Sequence, residues 1–249
     1  MIDLKSKNEI KKIAESGRMV AAVLKKLKSM VIPGLITQEL DDTARKMTKE
    51  FGARPAFLGY RGYTAAVCVS INDEVVHGFP SKKRICKEGD IISLDFGVEY
   101  GGYYADAALT VGVGKISQLA KKLMDVTEQS LYKGIEKAVA GNKLYDISAA
   151  VQQQAESNGF SVVRDFVGHG VGRKLHEEPF VPNFGKAGTG ILLEVGTVIA
   201  IEPMVNEKKY DVKVLSDEWT VVTCDKGLSA HYEHTIAITE SGPVILTKE

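Results

Sequence analysis

Two stretches of this chain follow the same pattern. Gly89-Asp90-Ile91-Ile92-Ser93-Leu94-Asp95 and Gly196-Thr197-Val198-Ile199-Ala200-Ile201-Glu202 each run from a turn glycine through largely apolar residues to a carboxylate. A second acid precedes a second apolar run in each case: Asp106 before Ala107 to Val111, and Glu233 before His234 to Ile238. Runs of this kind are strands that a sheet buries, and a buried carboxylate is costly unless it is paired or bound to metal. One such acid reads as a structural residue. Four in a repeated pattern, with nothing basic in the same strands, read as the cage of two divalent cations.

A fifth element is Gly168-His169-Gly170-Val171-Gly172, followed by His176-Glu177-Glu178-Pro179. Glycines on both sides of a histidine suit it poorly to packing and well to presenting an imidazole. His77, followed by Gly78 at a strand end, has a similar setting, and His231 and His234, which flank Glu233, are expected to be structural. Four oxygen ligands and one nitrogen form a hard set that suits manganese, iron or cobalt rather than a structural zinc. Paired metals, ~3.5–4 Å apart, can share a water whose pKa falls from 15.7 toward ~7. Hydroxide at neutral pH points to hydrolysis. No Ser-His-Asp order, Walker loop or dinucleotide fingerprint competes.

The elements that must position these groups are legible from period and punctuation. Ile13, Gly17, Val20, Leu24, Leu27 and Val31 form the stripe of an amphipathic helix that starts in a Ser6/Glu9 capping box and stops at Pro33-Gly34. Thr37 is expected to cap a second helix with Leu40, Ala44, Met47 and Phe51 on one face, ending at Gly52. Strands follow at Val67 to Ile71, Ile91 to Phe96 and Ala108 to Val113. The order then recurs, with helices over Leu119 to Ala140 and Asp146 to Ser157 and strands from Ser161. The expectation is a single domain over 1–249 with pseudo-repeated halves of about 1–115 and 116–249, one fused sheet, and acids facing a shared centre.

Composition sets the remaining bounds. The 32 Lys+Arg balance 32 Asp+Glu, so no field draws nucleic acid and no polybasic tail marks a membrane surface. Cys68, Cys86 and Cys224 are odd in number and far apart, which suits reduced thiols. The first residues lack the unbroken apolar stretch of a signal or a spanning helix. A cytoplasmic protein without DNA or membrane partners is expected, and a monomer. Lys208, Lys209 and Lys213 read as a solvated charged loop ahead of a ribosome contact.

The runs Val167 to Gly172 with His176 to Pro179, Ile201-Glu202-Pro203-Met204 and Tyr232-Glu233-His234-Thr235, together with Asp95 and Asp106, resemble type I methionine aminopeptidase, and the likeness spans essentially the whole chain. The resemblance implies an α+β fold of the duplicated pita-bread (creatinase/aminopeptidase) type, a central antiparallel sheet with helices on its outer face. It implies Asp95, Asp106, His169, Glu202 and Glu233 as metal ligands, Asp106 and Glu233 bridging, with Glu202 also accepting the proton of the attacking water. It further implies that a hydroxide bridging the metals attacks the scissile carbonyl. His77 and His176 match the family's non-ligand histidines, which contact the scissile amide. Phe57, Tyr60, Tyr63, Cys68, Leu175 and Trp219 would form the slot for the methionine side chain, where sulfur and aromatic walls suit a thioether. The implied activity is removal of the initiator methionine from a nascent polypeptide with a small second residue.

His231 departs from close relatives, which often carry glutamine there. Proline-specific peptidases share the fold and ligands but usually carry a further N-terminal domain, for which 249 residues leave no room. Silent relatives that bind peptides lose ligands, and here all of them are present.

Overall fold

The computed structural model of the protein describes residues 2–248. The helix α1 (Lys7–Met30) opens as its sequence dictates: the Ser6 hydroxyl accepts the Glu9 N–H while the Glu9 carboxylate accepts the Ser6 N–H. Its stripe of Ile13, Val20, Val23, Leu24 and Leu27 is buried. The next helix, α2 (Gln38–Glu50), starts where expected but is not capped by Thr37. That residue is itself helical, and its hydroxyl instead exchanges hydrogen bonds with the Ser81 backbone, so a tertiary contact has taken over the cap. In the second half α3 (Gln118–Lys137) is capped by Ser117, and α4 (Leu144–Glu156) packs beside it.

The central sheet is antiparallel throughout. Its strands lie in the order Arg54–Pro55, Ile91–Tyr100, Tyr103–Gly112, Glu233–Thr239, Val198–Ile201, Gly168–Gly170, Glu177–Val181. Val67–Ile71 pairs with Ile91–Tyr100, and Gly242–Ile245 with Glu233–Thr239. Two strands run longer than their sequence suggests, so Asp95 and Asp106 lie inside strands and not at their ends. The sheet is also not the only one. Glu74–Val76, Val212–Val214 and Val221–Thr223 form a separate three-stranded sheet, as do Ser161–Val162, Met204–Asn206 and Ser229–His231.

The period of two explains how the sheet sorts its side chains. Ile92, Leu94, Phe96 and Val98, with Ala105 and Ala107, join the α1 stripe in one core, so Asp95 and Asp106 point to the face away from that helix. Ile199, Ile201, Ile236 and Ile238 likewise join α3 and α4 in a second core. Helices thus seal one face of the sheet and leave the other to the acids. Among the described residues no helix is long and apolar enough to cross a membrane.

Candidate metal centre and cleft

Strand register brings the acids together. Ala108 stands opposite Asp95 on one side and opposite Glu233 on the other, so one row across three strands reads Asp95, Ala108, Glu233. The small alanine leaves room between two carboxylates. Asp106 lies two residues along from Ala108 on the same face, with the Thr235 hydroxyl 3.0 Å from its Oδ1. Glu202 follows the end of Val198–Ile201, which pairs with the Glu233 strand.

His169 enters from Gly168–Gly170. Its Nδ1 donates to the Gly170 carbonyl at 3.0 Å, which leaves the lone pair on Nε2 free. That Nε2 stands 3.5 Å from both Asp106 Oδ2 and Glu202 Oε1. Asp106, His169 and Glu233 each offer one ligand atom within 4.8 Å of the others.

The electrostatics of this cluster are those of charge without a counter-charge. Burial, and then the charge of Asp106, pushes Asp95 well above the usual carboxylate range. Burial followed by the neighbouring acids does the same to Glu202 and Glu233, and burial raises Asp106 to about 6. Burial also pulls the imidazoles of His77, His169 and His176 down to about 4, so they cannot neutralise the acids near pH 7. Asp95 Oδ1 is buried with no hydrogen-bond partner among the described residues. An orphaned carboxylate oxygen, neutral imidazole lone pairs and clustered acids are the donor set that a divalent cation would satisfy, so the residues fit the metal.

An apolar slot adjoins this centre. Cys68 stands directly opposite Asp95 in the ladder, so the base of the slot is the neighbour of the acid. Tyr63 stacks on Phe79 with ring centroids 4.6 Å apart and meets Trp219 edge-on at 5.0 Å. Its hydroxyl donates to the Gly78 carbonyl, so the polar end of a buried ring is satisfied. Tyr63, Ala65 and Cys68 with Phe57, Phe79 and Trp219 make a hydrophobic cluster separate from the two main cores. Leu175 is buried beside them.

His77 and His176 line the same cleft as the acids. His77 lies at φ 61°, a left-handed conformation uncommon outside glycine, with its ring wedged edge-on between Phe166 and Trp219. The His176 ring lies 4.1 Å from that of His169 and 5.1 Å from Tyr60. Every residue expected at the site lines one cleft of about 1130 Å³: Phe57, Tyr60, Tyr63, Cys68, His77, Asp95, Asp106, His169, Leu175, His176, Glu202, Trp219 and Glu233.

His234 lies outside the cleft lining, its Nδ1 2.9 Å from the Thr247 hydroxyl. His231 is buried, neither of its ring nitrogens has a hydrogen-bond partner among the described residues, and Nε2 stands 3.8 Å from Glu202 Oε2. Phe79 and Phe166 escaped the sequence reading, because an aromatic residue in a loop carries no period to mark its role. The dipeptide His77-Gly78 could have drawn attention to Phe79 next to it.

The sequence profile of metallopeptidase family M24 matches residues 11–240. The chain is 54% identical over 247 residues to the methionine aminopeptidase of Clostridium perfringens (strain 13 / Type A), covering 99% of each. It is 50% identical over 248 residues to methionine aminopeptidase 1 of Bacillus subtilis (strain 168), covering all of each. Among solved structures it is similar to the methionine aminopeptidase of Thermotoga maritima, with a TM-score of 0.98, 47% identity and full coverage of both chains.

Proposed function

The chain belongs to metallopeptidase family M24 as a type I methionine aminopeptidase of pita-bread fold, and on that premise we propose how its cleft removes an initiator methionine. Asp95, Asp106, His169, Glu202 and Glu233 would hold two divalent ions, which we assign as manganese, iron or cobalt from the hardness of the donors. The observation that carries this reading is the direct cross-strand pairing of Cys68 with Asp95, which joins an apolar slot to an uncompensated acid cluster.

Bound there, the ions supply Lewis acidity that brings the pKa of a water from 15.7 toward ~7. Glu202, whose burial raises its proton affinity, would accept the proton of the attacking water. His77 and His176, held neutral, donate N–H hydrogen bonds to the oxygen on which charge develops. Phe57, Tyr60, Tyr63, Cys68, Leu175 and Trp219 bind one unbranched thioether side chain. We place the second residue of the substrate beside His77, whose backbone is left-handed and whose ring meets Phe166 edge-on, and we propose that only a small side chain is accepted there.

The substrate is the N-terminus of a nascent polypeptide, and we infer a monomer acting in the cytoplasm. The halves 1–115 and 116–249 supply the ligands jointly, Asp95 and Asp106 from the first and His169, Glu202 and Glu233 from the second.

A short peptide series tests this reading by mass spectrometry under one metal condition. Met-Ala-Ser should be cleaved, while Leu-Ala-Ser should fail at the slot and Met-Lys-Ser at the second position. Release of arginine from Arg-Pro-Pro with Met-Ala-Ser intact would overturn it.

A further inference from the structure

Lys5 has no part in the site as described, yet its side chain is 1% exposed. It lies in the segment before α1, where its N–H donates to the Gly196 carbonyl at 2.7 Å. From there the side chain crosses to the other half of the molecule. Its Nζ donates to Asp3 and, at 2.6 Å, to Glu177 Oε2. Burial alone would lower the ammonium pKa, but these two carboxylates more than offset it and hold the group above its ordinary value. The stem runs directly over Gly172, where a Cβ would overlap Lys5 Cε and crowd Glu177 Oε1. The last glycine of the Gly168–Gly172 motif therefore admits this lysine and does not serve to display an imidazole.

Glu177 is what gives the contact its consequence. One carboxylate oxygen takes the Lys5 ammonium, and the other accepts the Lys174 N–H at 3.0 Å. The carboxylate thus closes the turn 174–177, and the residues inside that turn are Leu175 of the slot and His176 of the transition-state contact. Glu177 also opens the strand Glu177–Val181, opposite Gly170 and next to His169.

We propose that Lys5 is a positioning residue for the aminopeptidase reaction, acting through Glu177 to fix the turn that places His176. This rests on the role given to His176 above. A small displacement of a positioned donor is enough for a large effect, since misplacement by about 1 Å can cost ~10²-fold in rate.

A double-mutant cycle on Met-Ala-Ser, with metal content measured on each variant, tests the proposal. Lys5→Met keeps the length of the stem and removes the charge, and Glu177→Ala opens the same turn from its other side should Lys5→Met not fold. Each should lower kcat by roughly 10- to 100-fold with metal content unchanged. In a His176→Ala background the same substitutions should lower kcat by about twofold or less, because the group they position is gone. Equal losses in both backgrounds, or metal content falling in step with kcat, would overturn the proposal. So would unchanged kcat in Lys5→Met and Glu177→Ala while His176→Ala is impaired, and in that case the role of His176 stands. Unchanged kcat in His176→Ala alone would remove that role, and this inference with it.

Discussion

Lys5 is buried with two carboxylates to match it, whereas among the described residues no lysine or arginine forms an ion pair with Asp95, Asp106, Glu202 or Glu233 in the cleft. The ion-pair partners of Asp106 and Glu202 are the imidazoles of His169 and His231, which burial keeps neutral near pH 7. The cost of removing charge from water is the same in kind at both places. At Lys5 the chain supplies the counter-charge itself, and each oxygen of Glu177 has a donor. At the acid cluster it leaves the charge open, and Asp95 Oδ1 has no hydrogen-bond partner among the described residues. The first arrangement stabilises a turn. The second costs stability in the bare chain, and in the proposed reading it is there for divalent ions to complete.

The largest effect should come from the open side of this comparison. Asp106→Asn or Glu202→Gln should lower turnover of Met-Ala-Ser by several orders of magnitude while the circular dichroism spectrum stays native, since each removes a ligand or proton acceptor without changing volume. Full activity in either variant would show that the acids are not functional as a set.

Stability should then separate the two clusters by sign. Lys5→Met breaks a buried pair and should destabilise toward the lower end of ~3–5 kcal/mol, because Asp3 remains largely exposed to water. In metal-stripped protein Asp106→Asn should do the reverse and raise the unfolding midpoint. A pH series sharpens this. Burial raises the Asp106 carboxyl from 3.8 to about 6, so the folded state holds its proton more tightly than the unfolded state does. The contribution of Asp106 is therefore present below its unfolded value and lost as pH rises through its folded value. The advantage of Asp106→Asn over the wild type should grow across that window and level off above it. An advantage that shrank with rising pH would mean that Asp106 is compensated in the bare chain.

What the sequence revealed divides along the same line. The acids were legible because two strands carry them in the same pattern, and burial makes a carboxylate in an apolar run conspicuous wherever it falls. The capping box at Ser6 and Glu9 and the stripe of α1 were legible because both act within a few residues. Lys5 was not, since its partner Glu177 lies 172 positions away and nothing local distinguishes it from a surface lysine. Thr37 misled for a related reason: its hydroxyl has cap chemistry, but Ser81 competes for it in the folded protein. The length of Ile91–Tyr100 and Tyr103–Gly112 was also hidden, because the polar residues that look like strand ends are the inward-facing acids themselves. Functional polarity in a buried strand disguises the strand.

The proposed metal centre is best tested by stripping the protein of metal and titrating manganese back, with bound metal and Met-Ala-Ser turnover read on the same samples. Turnover should be absent in stripped protein and recover as the ions bind, with both lost together in Asp106→Asn. Undiminished turnover in fully stripped protein would show that the acid cluster does its work without divalent ions.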